Sequence, residues 1–594
     1  MKTLTTLAAA VCILSFTSCA DKDDSENSPS AETPSAVDNK PFKLEAYMNK
    51  DVHPGDNMFN YSYGKWIDND TSKTICGVSG ALNAKSAKIT NTPESNNFQQ
   101  CYDEFEEAAK EGEMLKADVE RLKEYVKIVD ELKNATQKDE VIKIFAKLLK
   151  EGYIMPDMIQ LVCCEKGISI NPWPEVLIKE MGEQNAMMQS RGISRLKCDV
   201  IDGVIKELGI STDMVRYEPS QGLAIDKLNK LSVDELKDVI ISNLEGFENM
   251  LFPQNMQAKT IVEIKSILKA YSRMLDVCQY NSVGLWATQQ ENDAVKQMAE
   301  ELKDALVERI SDLDWMSSTT KHNAIDKVKN IIPIVVGGID TRNQKVFTSM
   351  AGETLCDSYM KMNKGMLNAA LSLVGKPRTE TNLYFAAQYL CIYYLKQDLR
   401  EPENSFYMGN LNSMFILPAF GSFPFIDLSQ TDAMLYGALG MLVGHELTHS
   451  VDKKGATYGI YGEVNNWWTD NDYQTFTERT NTVVNSYNSM DAFPEFYPNI
   501  KNDGNLTINE NIADIGGLNV AITAYKKHLT KQGIKGEEMD KCLRKMFVSA
   551  FYGLAERCSL EKASALQFII KDVHSYGETR FGGMCRNIDE WYRL

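Results

Sequence analysis

The chain has 594 residues, with 64 basic against 82 acidic side chains and a formal net charge of -18. That acid excess argues against nucleic acid or an anionic membrane surface as the natural partner, while 43% hydrophobic and 25% charged residues describe a folded globular protein. The length is too great for one simple core and calls for more than one lobe, and no stretch beyond the N-terminus is long and apolar enough to span a bilayer.

The N-terminus opens with MKTLTTLAAAVCILSFTSC: a basic start at Lys2, an apolar run from Leu4 to Phe16, and small residues before Cys19. This resembles a bacterial lipoprotein signal, which predicts cleavage after residue 18 and acylation of Cys19. Residues 19–40 are rich in Ser, Pro, Ala and acid without apolar periodicity, and read as a disordered tether. The acids Asp21, Asp23 and Asp24 beside Cys19 resemble a surface-export signal. The expectation is a protein lipid-anchored in a bacterial cell envelope, at the outer membrane, on its periplasmic or surface face. Cysteine does not define the fold: with Cys12 and Cys19 set aside an odd number remains, and no CxxC pair occurs. Most are expected to be buried small apolar residues.

From about residue 95 to 330 apolar residues recur at three- and four-residue steps, as in EEAAKEGEMLKADVERLKEYVKIVDELKNA and ENDAVKQMAEELKDALVERISDL. This predicts a packed helical scaffold. KNIIPIVVGGID, 329–340, changes to β-branched residues, Pro and paired glycines, which predicts a turn into a strand and places a boundary near residue 345. From 404 to 428 the chain is aromatic and extended, with Pro418 and Pro424 as breakers. Helices resume near 431, interrupted by an irregular stretch from roughly 455 to 505.

GHELTHSVD, 444–452, holds two of the six histidines. On a helix, residues four apart lie about 40° from each other around the axis and one turn along it, so His445 and His449 can reach one metal ion. Glu446 lies beside that face, where it can act on a water at the metal without being a ligand. A catalytic zinc needs a third protein ligand. NLTINENIADIGGL, 505–518, places Glu510 and Asp514 one turn apart on a second helix. Taken alone, Thr507 and Glu510 fit a capping box better than a ligand site. Asn511, Ala513 and the Gly516–Gly517 pair favour close helix packing, with Glu510 as ligand and Asp514 fixing an imidazole tautomer.

HELTHSVD, followed by YGEVNNWWTDNDYQTF and DGNLTINENIADIGGL, resembles the neprilysin / endothelin-converting-enzyme family of zinc metallopeptidases, including its bacterial oligopeptidase members. PGDNMFNYSYGKWI (54–67), LDWMSSTTKHNAIDKV (313–328), NSFY (404–407) and DVHSYGETRFGG (572–583) match further family motifs, in family order. The resemblance implies a mainly α fold: two largely helical lobes enclosing a cavity, the catalytic lobe thermolysin-like with a small β-sheet. It divides the chain into an N-terminal region, 41–345, whose part at 54–67 packs on the catalytic lobe, and a catalytic region, 346–594.

What the resemblance implies residue by residue is one zinc ion on His445, His449 and Glu510, with Glu446 as general base. His574 stabilises the oxyanion, Asp514 orients a zinc-bound histidine, and Arg580 holds a substrate carbonyl. Asn404 and Ser405 pair with the backbone of oligopeptide substrates. Several positions depart from the family pattern. Ser405 replaces Ala, Glu556 stands near an expected Trp, HSYGETRFGG replaces an HSP and RVNG pattern, and the sequence ends at DEWYRL. These departures motivate an alternative, a catalytically impaired peptide-binding surface lipoprotein. A glycan-binding lipoprotein gives no reason for HELTH together with ENIAD.

Overall fold

The computed structural model describes residues 48–53, 60–62, 64–65, 93–165, 167–177, 196–218, 221–252, 258–279, 287–341, 345–396, 405–418, 426, 431–494, 497–550, 566 and 569–588. Cys19, the tether, Asn404, Glu556 and most of 54–67 lie outside them. The described chain is mainly α-helical, with a few short sheets, as expected.

Helices α1 (Pro93–Glu111), α2 (Asp118–Asn134) and α3 (Lys138–Glu151) lead into strands β1 (Ile159–Cys164) and β2 (Gly167–Pro172). The run with one helical pattern from 106 to 135 is thus two helices, broken at Gly112, whose φ of 69° lies in the left-handed region. The β1–β2 hairpin interrupts the helical scaffold; its strands IQLVCC and GISINP are buried on both faces, so the short Ile-Ser-Ile-Asn alternation does not mark a solvent side. Then follow α4 (Asp199–Glu207), α5 (Gly222–Lys230), α6 (Val233–Ser242), α7 (Glu245–Leu251), α8 (Ala258–Gln279), α9 (Gln289–Asp312) and α10 (Ser318–Lys329). α9 is entered through a capping box between Thr288 and Glu291.

Strand β3 (Ile332–Val335) appears where the sequence predicts it. After α11 (Leu355–Leu373) and α12 (Glu380–Leu390), strands β4 (Ser405–Met408) and β5 (Ser413–Ile416) complete a three-stranded sheet in the order β3–β5–β4. β3 pairs with β5 in parallel, which demands a long crossover, and α11 and α12 lie within it.

Among the described residues two large hydrophobic cores form, beside a small cluster of Ala492, Phe493 and Tyr576. The first gathers α1 to α8 with α11 and α12; the second gathers α9, α10 and the helices after residue 431. The small sheet is the wall between them. Because side chains alternate along a strand, Phe406, Met408, Phe415 and Ile334 enter the first core, while Tyr407, Met414, Ile416 and Val335 enter the second. Core membership therefore does not follow a cut at residue 345: α9 and α10 precede it yet pack in the second core, and α11 and α12 follow it yet pack in the first. Met48 and Tyr61 also pack with the second core. Cys101, Cys163, Cys164, Cys198, Cys356, Cys391, Cys542 and Cys585 are free, and of these only Cys542 is not buried.

The second core is built around α13 (Asp432–Thr448), which packs against α9, α15 (Ile508–Lys531) and α16 (Glu537–Ser549). DAMLYGALGMLVGHELT is apolar on every side, the pattern of a helix enclosed by others. Between α13 and α15 lie α14 (Asp470–Asn488) and a hairpin of β6 (Asp491–Phe493) and β7 (Tyr497–Lys501); α17 (Gly577–Asn587) follows near the C-terminus. The stretch expected to be irregular from 455 to 505 thus contains a 19-residue helix. Its Thr- and Asn-rich sequence has weak intrinsic helix preference, and the helix starts from a cap in which Asp472 N donates to Thr469 Oγ1.

The expected close packing at the glycine pair is present. A Cβ on Gly444 would stand 2.6 Å from the Gly517 carbonyl oxygen, and one on Gly517 would stand 2.4 Å from the His445 nitrogen. α13 and α15 therefore touch backbone to backbone beside the HELTH segment. Gly517→Ala must force the two helices apart, at a cost of about 1–3 kcal/mol, the usual range for overpacking. We expect a lowered thermal midpoint and weaker metal binding in this variant. Unchanged values of both would show that the contact does not set the spacing.

Candidate metal centre

α13 presents His445 and His449 one turn apart, and the first turn of α15 brings Glu510 to them across the glycine contact. His445 Nε2 and His449 Nε2 lie 3.0 Å from each other and 3.3 and 3.4 Å from Glu510 Oε2. The three can place one ligand atom each within 4.8 Å of one another. Ligands held about 2.0–2.2 Å from a tetrahedral zinc stand roughly 3.3–3.5 Å apart, so the spacing fits that ion.

The other ring nitrogens explain why Nε2 faces inward. His445 Nδ1 lies 2.8 Å from Asp514 Oδ1, and His449 Nδ1 lies 2.7 Å from Asp452 Oδ2. A carboxylate can only accept, so each Nδ1 carries hydrogen and, in a neutral ring, each Nε2 is left as a lone pair. Two buried lone pairs and a carboxylate oxygen in mutual contact repel unless a proton or a cation stands among them. This donor set suits a divalent metal.

The capping box weighed for Glu510 does not form. Thr507 makes no side-chain cap bond; its hydroxyl donates to Asp503 O and accepts from Asn511 and Asn502. Glu510 turns to the histidines instead and is 2% exposed. Burial alone would raise its pKa, but the facing imidazoles His574 and His449 hold it well below the usual range. Burial pulls His445 down, and the Asp514 and Glu510 carboxylates outweigh it, so its pKa is raised. His449 is raised further, by Glu510 and Asp452.

Glu446 is buried next to His445, and burial raises its pKa, partly offset by the neighbouring imidazoles. Asp514 is fully buried and receives Arg580 Nε at 2.8 Å and Nη2 at 2.7 Å in a bidentate pair. Arg580 and His445 hold the Asp514 carboxyl below its ordinary range against burial. The substrate contact expected of Arg580 is not what the described residues show first: its fork is bound to Asp514, which in turn holds His445.

His574 reaches the same centre, with Nε2 at 3.1 Å from Glu510 Oε2. Its Nδ1 lies 3.0 Å from Asp572 Oδ1, which also accepts the His574 backbone N–H. Burial lowers its pKa, but Glu510 and Asp572 prevail and raise it to about 9. Ser405 opens β4, an edge strand of its sheet among the described residues. Asp452 and Asp572 were not singled out from the sequence. Each follows or precedes its histidine by three or two residues, a separation that surface turns share.

Known proteins resemble parts of this chain. Residues 283–336 and 404–594 match two family models, each described as peptidase family M13. A putative zinc metalloproteinase of Streptococcus gordonii is 30% identical over 254 residues, which cover 41% of this chain and 42% of that protein. The neutral endopeptidase of Lactococcus lactis subsp. lactis is 24% identical over 300 residues, covering 50% of this chain and 43% of that protein. The chain thus matches less than half the length of these relatives. Among solved structures, PepO from Lactobacillus rhamnosis shares the fold with a TM-score of 0.51 at 16% identity, over 91% of this chain and 96% of that one. The open state of the Mycobacterium tuberculosis zinc metalloprotease Zmp1 does so with a TM-score of 0.51 at 17% identity, over 91% and 97%.

Asp452→Asn tests the tautomer argument. The amide would keep an acceptor for the turn but turn a donor toward His449 Nδ1–H. Loss of such a partner weakens metal binding by about 10–100-fold, measurable by competition with a chelating dye. An unchanged affinity would remove Asp452 from the site.

Proposed function

We propose that this chain, of peptidase family M13 over residues 283–336 and 404–594, is a zinc-dependent endopeptidase that hydrolyses peptide bonds in oligopeptides. The convergence of His445, His449 and Glu510 beside the buried Glu446 carries the reading. The names of the relatives, a zinc metalloproteinase and a neutral endopeptidase, support it.

Zinc, when bound, supplies Lewis acidity to a peptide carbonyl and to water. Glu446 takes the proton of the attacking water and returns it to the leaving amine; its buried, raised pKa suits a group that must do both. His574, its Nδ1 held by Asp572, presents Nε2 to the developing oxyanion. Asp514 holds His445 in the tautomer that leaves Nε2 inward. Arg580, oriented by Asp514, anchors a substrate backbone carbonyl. Ser405, with Asn404 before it, offers an edge strand to the substrate backbone, a mode of binding that tolerates varied side chains. An enclosed cavity between two lobes would admit peptides and exclude folded proteins. We also propose that the protein is lipid-anchored through Cys19 in a bacterial cell envelope, on the support of residues 1–40 alone.

Replacing Glu446 with Gln removes the base and keeps the ligands. Peptide turnover should fall by about 10²–10⁴-fold with zinc content unchanged; equal activity would refute the role of Glu446. A zinc-loaded wild type that turns over no peptide would instead be a binding protein, and rapid digestion of a stable globular protein would contradict the cavity. For the anchor, Cys19→Ala should lose incorporation of labelled fatty acid and leave the membrane fraction, and retention of both would exclude lipid attachment there.

A further inference from the structure

Lys327 on α10 is fully buried, an unusual state for a lysine. No carboxylate pairs with it among the described residues. Its ammonium instead donates to two backbone carbonyls, Gly455 O and, at 2.6 Å, Tyr458 O. Both belong to the turn that leaves the end of α13. Tyr458 O also accepts the Trp467 indole N–H at 2.9 Å. The rings of Trp467 and Tyr407 lie 5.7 and 5.9 Å from the Lys327 ammonium, within the range of cation–π attraction. The Lys327 carbonyl accepts from Asn412 Nδ2, which also donates to Ile460 O. The turn is thereby fastened to α10 and to the β4–β5 hairpin at once.

This turn carries Asp452. Its Oδ1 accepts Gly455 N at 2.6 Å and Lys454 N at 2.8 Å, while its Oδ2 faces His449 Nδ1. One residue therefore separates the lysine from the carboxylate: Gly455 donates its N–H to Asp452 and accepts Lys327 at its carbonyl. Burial pushes the Lys327 ammonium down to about 7 against the attraction of Asp452 and Glu463; the partners it reaches are the two backbone carbonyls.

We propose that Lys327 is a positioning residue for the metal ligand His449, acting through the Gly455 turn and Asp452. The proposal rests on the zinc reading above. It also gives a physical reason why residues 313–328, far from HELTH in sequence, belong to the second core: α10 supplies the donor that fixes the turn behind the metal helix.

The test measures zinc affinity of the full chain, by competition with a chelating dye, for the parent, Lys327→Met, Lys327→Gln, Asp452→Asn and the Lys327→Met/Asp452→Asn pair. Lys327→Met should weaken zinc at least about 10-fold, as loss of a group supporting a metal ligand does, and Lys327→Gln, which keeps a donor, should lose less. The double variant should bind no more weakly than Asp452→Asn alone, because both act along one path. Amide exchange over 452–458 should rise in zinc-free Lys327→Met relative to the zinc-free parent. A parent-like affinity in Lys327→Met, or losses that multiply in the double variant, would overturn the proposal. Where Lys327→Met does not fold, Lys327→Gln carries the comparison. Where neither folds, the zinc-free parent decides: protection of 452–458 equal to that of α10 supports the pin, and free exchange there overturns it. A parent that binds no zinc would instead defeat the zinc reading.

Discussion

The centre depends on one contact, the backbone approach of α13 and α15 at Gly444 and Gly517. Two histidines one turn apart make half a site on any helix. The third donor arrives only if a second helix comes nearer than side chains normally permit, and Gly444 and Gly517 remove the side chains that would prevent it. His445 and Glu510 then meet in the first turns beyond the contact, at 3.3 Å.

Bringing these groups together buries charge, and the surroundings answer that cost group by group. Asp514 is paired with Arg580 and His445, Asp452 with two backbone amides and His449, and Asp572 with the backbone and side chain of His574. Each carboxylate that faces a histidine Nδ1 thus has donors, as a buried charge requires. The remaining mismatch, two inward Nε2 atoms and Glu510 Oε2, sits at a single point. A layer of satisfied partners behind a cluster of inward donor atoms is the arrangement expected when ligands are oriented from behind for a metal. Lys327 extends the same logic one step outward, from ligand to partner to the turn that carries the partner.

Much of this was legible in the sequence, for physical reasons that differ by residue. His445 and His449 were visible because helical spacing alone puts them together. Glu510 was ambiguous, since Thr507 and Glu510 satisfy a local capping pattern equally well, and only the tertiary contact decides against it. Asp452 and Lys327 carried no local signal: an Asp three residues after a His is common, and a Lys in a polar helix reads as exposed until its surroundings are known. The division of the cores was hidden for a similar reason. A parallel β3–β5 pair sends the chain across the molecule and back, and no composition change marks the crossing. α14 was missed because its Thr- and Asn-rich residues prefer other conformations, so its helix is imposed by its cap and packing.

The central claim is that these three side chains form one metal site with Nε2 ligation. Diffraction data from zinc-loaded crystals, collected on both sides of the zinc absorption edge, test it most directly. The account predicts one strong anomalous peak at about 2.0–2.2 Å from His445 Nε2, His449 Nε2 and a Glu510 carboxylate oxygen. No peak at that point, or a peak ligated through Nδ1 of either histidine, would contradict it.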